Sequence, residues 1–173
     1  MFKNIVCPLD GSDHAGKALT LAIDLAKKYD ARLLLVHVLL RDVETPALAR
    51  FAEIEGLTKT VEPEMHRLMD VDSRAEIAHL RDRENISSSV LVDIAEHIVG
   101  AAKSEAQDKG VHDVSVKVLD GDAAKRILEF AKQENADCIV MGSRGLSDIK
   151  ALLLGSVSQK VTYLAPCTCI AVK

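Results

Sequence analysis

Aromatic residues make up only 3% of this 173-residue chain, and tryptophan is absent. Its core must be built from Leu, Ile, Val and Ala, and a hydrophobic content of 48% provides enough of them for one sizeable domain. No lysine- or arginine-rich run occurs, and the formal net charge is −4 with a pI near 5.9. Those values argue against a nucleic-acid binder held by phosphate contacts. No apolar stretch is long enough to span a bilayer; the longest, Leu33 to Leu40, is broken by His37. The first residues, Met1 to Pro8, lack the apolar core and small-residue cleavage site of a secretory signal, so a cytoplasmic protein is expected.

Several catalytic and metal signatures are missing as well. There is no GxGxxG turn, no GxSxG elbow and no HExxH helix, and the six histidines are dispersed. His37, inside an apolar run, reads as a satisfied buried imidazole. Four cysteines are present without a CxxC pair. Cys7, Cys138 and Cys169 fall in strand-like runs and are expected to act as small buried hydrophobes. Cys167 and Cys169, two apart, share one face of a strand. Gly11-Ser12-Asp13-His14-Ala15-Gly16-Lys17-Ala18 nearly matches a P-loop, but the last position lacks the hydroxyl that holds Mg²⁺. Ala15, Leu19 and Ala22 also extend one helical face back through it, which puts Gly16 and Lys17 inside a helix.

What is present is a regular alternation of strands and helices. Strands are expected at Lys3–Leu9, Ala31–Leu40, Val114–Leu119, Asp137–Met141 and Thr168–Val172. Helices are expected after a cap at Ser12 or Asp13, from Ser88 or Ser89 toward Lys109, over Asp122–Gln133 and from Ser156 to Leu164. Such alternation implies parallel pairing, right-handed crossovers and a doubly wound α/β sheet with helices on both faces. Ligands of these sheets bind beyond the carboxyl ends of the strands, where strand order reverses. That rule singles out Asp10, Val38 to Leu40, and Gly142. The segment 41–86 does not fit the alternation. It is dense in charge, and Pro63–Arg83 carries a weak helical stripe, so it reads as a partly helical insertion in a single domain spanning 1–173.

The most informative spacing is Met141-Gly142-Ser143-Arg144-Gly145, nine residues, then Gly155-Ser156-Val157-Ser158. A strand end, a glycine-bracketed loop and a helix opening with Gly-Ser form a plausible phosphate cradle. Glycine lets backbone approach a ligand, and a helix N-terminus presents unpaired N–H groups. The same glycines would also serve a tight turn and a close helix–strand contact, and spacing alone does not separate these readings.

Pro8-Leu9-Asp10-Gly11-Ser12, His37-Val38 and the pattern Gly142-x-x-Gly145-x9-Gly155-Ser156 together make the chain resemble the universal stress protein family, in its ATP-binding branch. The resemblance covers nearly the whole chain outside 41–86. It implies a five-stranded sheet of order 3-2-1-4-5, the adenine nucleotide alpha hydrolase-like fold, and a dimeric, nucleotide-dependent stress-response regulator without strong catalysis. It implies ATP as ligand, with Mg²⁺ or Mn²⁺ held through the phosphates, and a homodimer through the last strand, 168–172, together with a protein partner whose identity is open. By the same resemblance Asp10 meets ribose or adenine, Pro8 shapes the turn, and Val38 offers backbone to adenine. Met141 and Gly142 lie under the sugar, and Gly145 lets the loop approach the phosphates. Gly155, Ser156, Val157 and Ser158 supply donors to the β- and γ-phosphates, and Arg144 is a candidate phosphate contact. Two alternatives stand beside this reading: a slow ATPase, and an interaction protein whose crevice is covered by 41–86.

Overall fold

The computed structural model describes residues 1–39, 88–146 and 154–173. The insertion 41–86, with its expected helix at Pro63–Arg83, lies outside the described residues. Among the described residues the elements are β1 (Asn4–Pro8), α1 (Asp13–Tyr29), β2 (Arg32–Val38), α2 (Ser88–Asp108), β3 (Val114–Leu119), α3 (Ala123–Gln133), β4 (Cys138–Gly142), α4 (Ser156–Leu164) and β5 (Thr168–Val172). Met1–Leu39 and Ala95–Lys173 form one compact unit; of the other, Leu40–Ile94, only the helical stretch Ser88–Ile94 is described.

All five strands run parallel in the order β3-β2-β1-β4-β5, as expected. Successive side chains of a strand alternate between faces, and both faces of this sheet are buried. On one face Val6, Leu34, Val36, Val38, Ile139 and Met141 cluster with Ile127, Phe130 and Ala131 of α3 and Val161 of α4. The alternate set, Ile5, Cys7, Leu33, Leu35, Cys138 and Val140, is also buried and points the other way. There α1 lies over β1 and β4, and its inward stripe is Ala15, Ala18, Leu19, Ala22, Ile23 and Ala26. Four alanines in that stripe keep the helix close to the sheet. Truncating one of the large buried residues to alanine costs about 2–5 kcal/mol in such cores.

Element ends follow local chemistry. Ser12 caps α1, its hydroxyl accepting the Ala15 N–H, and Asp122 caps α3 by accepting from Lys125. Gly16 and Lys17 lie inside α1, so the P-loop-like stretch is helical. Several strand boundaries differ from the expectation by one or two residues: β1 is Asn4–Pro8, β2 Arg32–Val38 and β4 Cys138–Gly142. Gly142 is the last residue of β4, paired with Val172 of β5. β2 is a strand only as far as Val38, although Leu39 N–H still donates to the Leu119 carbonyl at the end of β3.

Candidate functional site

The reversal in strand order falls between β1 and β4, and the two strands part there. They pair at Ile5 with Cys138 and at Val6 with Ile139, whereas β1 stays in register with β2 as far as Pro8. Leu9 donates its N–H to Val36 O on the β2 side. Backbone groups of neighbouring residues in a strand point to opposite sides, so Pro8 faces β4. Proline has no N–H to offer, and the ladder to β4 has already ended. A crevice opens at the carboxyl ends of these strands. Val38 lies two residues beyond Val36, so its backbone faces the same side, toward β1.

Asp10 begins the turn after β1 and is held in place. Its Oδ1 accepts from Ser12 N (3.0 Å) and from Ser12 Oγ (2.7 Å). Its other oxygen lies against Gly145: a β-carbon there would stand 2.5 Å from Asp10 Oδ2. A side chain at Gly145 would therefore have to displace the Asp10 carboxylate from its present position. Ser12 Oγ also reaches the Arg144 carbonyl at 3.4 Å, joining the turn after β1 to the loop after β4. Arg144 is itself half-buried.

Gly142 meets α1 head-on. A β-carbon on it would lie 2.9 Å from Ala15 N and 2.9 Å from His14 C, both backbone atoms that cannot yield cheaply. From the other side of the sheet, Ser158 Oγ donates to the Gly142 carbonyl at 2.8 Å. Ser158 is buried, so this hydroxyl serves the strand end. Ser143, 1% exposed, carries three bonds to three elements. Its N–H donates to Val172 O of β5 (2.6 Å), its carbonyl accepts Gly155 N–H (2.8 Å), and its Oγ pairs with His14 Nδ1 (3.1 Å).

Two helix N-termini thus converge on the end of β4, and they differ. α1 has a side-chain cap in Ser12. α4 begins after Gly155, which has an ordinary φ of −70° and makes no side-chain cap. A β-carbon on Gly155 would meet nothing closer than 3.5 Å, the Arg144 Cα. Neither backbone angle nor packing requires glycine there. Its effect is to leave a bare backbone at the first turn of α4, where Ser156 is exposed and Val157 half-buried. Met141 is buried on the opposite face from Gly142, within the α3–α4 core.

His37 is 1% exposed, and its Nδ1 donates to Leu9 O at 2.8 Å. Burial holds its pKa below the usual histidine value, while the Leu9 bond and nearby Asp10 oppose that shift. The neutral ring therefore props the end of β1 from within. Cys7 and Cys138 are buried as expected. Cys169 is only half-buried, because β5 is an edge strand. Among the described residues no group of three His, Cys, Asp or Glu side chains gathers as a metal site. A separate hollow of about 410 Å³, lined in part by Lys27, Asp30, Arg32, His112 and Asp113, lies at the opposite ends of the strands. No described helix is long and apolar enough to cross a membrane.

The structure thus brings Pro8, Asp10, Val38, Met141, Gly142, Arg144, Gly145 and Gly155 to Ser158 to one end of the sheet. Sequence reasoning passed over His14 and Ser143. Local pattern carries no signal for this pair, which is 129 residues apart in sequence.

Comparison with known proteins agrees with this architecture. The chain matches the universal stress protein family over residues 1–173. It is 32% identical to the universal stress protein YxiE of Bacillus subtilis over 173 residues, covering the whole of both chains. Among solved structures it is similar to the universal stress protein UspA from Lactobacillus plantarum, with a TM-score of 0.64 and 24% identity over 99% of this chain and 97% of that one. It is also similar to a universal stress protein from Archaeoglobus fulgidus in complex with dAMP, with a TM-score of 0.61 and 18% identity over 100% of this chain and 98% of that one. The two structural likenesses speak to the fold alone. The family match and the full-length relative go further, and with the sheet order they establish that the chain belongs to the universal stress protein family.

Proposed function

We propose that this protein binds an adenine nucleotide, ATP in preference, in the crevice between the carboxyl ends of β1 and β4, and that occupancy regulates a protein partner. The observation that carries the reading is Gly155. A glycine required by neither backbone angle nor packing precedes a helix N-terminus that no side chain caps, beside a strand-ending glycine loop. Bare N–H groups and the positive end of the helix dipole suit phosphate oxygens, an attraction of about 0.3–2 kcal/mol from the dipole alone. Arg144 adds a candidate charge-assisted contact. At the other end, Asp10 has one oxygen fixed by Ser12 and the other directed at the loop, which suits a ribose hydroxyl or an adenine amine. Val38 offers backbone on the same side. The dAMP bound by the Archaeoglobus relative supports an adenine nucleotide as the ligand class. Mg²⁺ or Mn²⁺ would be held mainly by phosphate and water oxygens. In this reading two copies pair through β5, whose apolar edge a second strand would cover.

The direct test is to purify the protein without added nucleotide, denature it by heat and chromatograph the supernatant. About one ATP per chain, lost in Gly155→Val, is the expected result. An empty supernatant, together with no binding of Mg-ATP in a titration, would reject the reading.

A further inference from the structure

The nucleotide reading assigns no role to His14, yet its placement is specific. Gly142 has no side chain, so the first turn of α1 rests directly on the end of β4. That contact brings His14 Nδ1 to 3.1 Å from Ser143 Oγ, across 129 residues of sequence. Ser143 is buried, and its carbonyl accepts the N–H of Gly155, the residue that starts α4. A chain of contacts therefore runs from α1, through one side chain and one peptide, to the helix end assigned to the phosphates. At the base end Asp10 is oriented instead by Ser12, whose N–H and Oγ both donate to its Oδ1.

We propose that His14 is a positioning residue for the nucleotide's phosphates, acting through Ser143 to fix where α4 begins. The inference rests on the nucleotide reading above. His14 need not touch the ligand. The helix-end amides that follow Gly155 bind phosphate well only if held within a few tenths of an ångström of the productive position; the Gly155 N–H, donated to Ser143 O, is spent on anchoring that first turn. Releasing the Ser143 side chain loosens that carbonyl, so the loss falls on phosphate contacts and spares the nucleoside.

The test titrates wild type, His14→Ala and His14→Asn with Mg-ATP and with adenosine by calorimetry. In parallel, amide hydrogen exchange at Gly155 is followed by NMR in the nucleotide-free proteins. His14→Ala is expected to weaken ATP about five- to tenfold, the effect of one lost hydrogen bond, to leave adenosine affinity within about twofold, and to speed Gly155 exchange. His14→Asn keeps a polar atom near the Nδ1 position and should restore both. Equal losses for ATP and adenosine, or no loss of ATP, would overturn the positioning role. If wild type binds neither ligand, the nucleotide reading falls and exchange alone judges the link. Faster Gly155 exchange in His14→Ala then upholds the link, and unchanged exchange overturns it.

Discussion

A β-carbon on Gly142 would stand 2.9 Å from the backbone nitrogen of Ala15, so the start of α1 packs on the end of β4 with no room for a side chain between them. Gly142→Ala must push two main-chain segments apart. Overpacking of this kind costs about 1–3 kcal/mol. Urea unfolding should show a lowered midpoint with little change in slope, and Gly142→Val should be worse.

Gly155 presents the opposite case. With no atom closer than 3.5 Å to a β-carbon built there and an ordinary φ, Gly155→Ala should fold with a change of no more than about 1 kcal/mol, the usual scale for an N-cap substitution. Nucleotide affinity should nonetheless fall, because a methyl group then occupies the bare surface at the first turn of α4. Calorimetry alongside thermal unfolding separates the two effects. An affinity equal to wild type would remove Gly155 from the site.

Asp137 should control acid sensitivity at the other end of the sheet. Its Oδ2 accepts the N–H groups of Lys3 (2.8 Å) and Asn4 (2.9 Å), tying the start of β1 to β4. These bonds, Asn4 first, hold its pKa below the ordinary carboxylate value. The folded state therefore binds this proton less readily than the unfolded chain. The contribution is complete above the unfolded pKa, about 3.9, and is lost as pH falls through the lower folded value. Comparing denaturant midpoints at pH 6 and pH 3 should show a smaller acid loss in Asp137→Asn than in wild type.

The thiols should be sluggish. Burial pushes Cys138 up to about 12, Cys7 higher still, and Cys167 and Cys169 upward too. Thiolate is the reactive form, so a disulfide reagent at pH 7.5 should label the native protein slowly, reaching half-exposed Cys167 and Cys169 before Cys7. All four should react promptly in denaturant. Fast labelling of Cys7 in the native state would contradict the packing of β1.

Much of this fold was legible in the chain. Leu33-Leu34-Leu35-Val36 has no polar alternation, which implies a strand covered on both faces, and β2 is buried on both. Ala15, Leu19 and Ala22 kept the P-loop-like stretch helical for the same reason of periodicity. The glycine spacing located the loop but not the reason for each glycine. Gly145 answers to Asp10, 135 positions earlier, and Gly142 to the backbone of α1. Such contacts depend on tertiary approach, which local pattern does not encode. His14 and Ser143 escaped for that reason, since each reads as an ordinary polar residue until the sheet brings them together. The boundary at Gly142 moved because β5, arriving last, extends the ladder by one pair.

The short bond from Ser143 N to Val172 O has a mechanical consequence. Val172 closes the outermost strand, and Ser143 starts the loop after β4, so this main-chain hydrogen bond carries the β4–β5 ladder one step into the loop. A tug or twist applied along the sheet's free border therefore has a lever arm of one residue on the loop. Under the nucleotide reading proposed above, a ligand that tightened the loop would be felt first at that border.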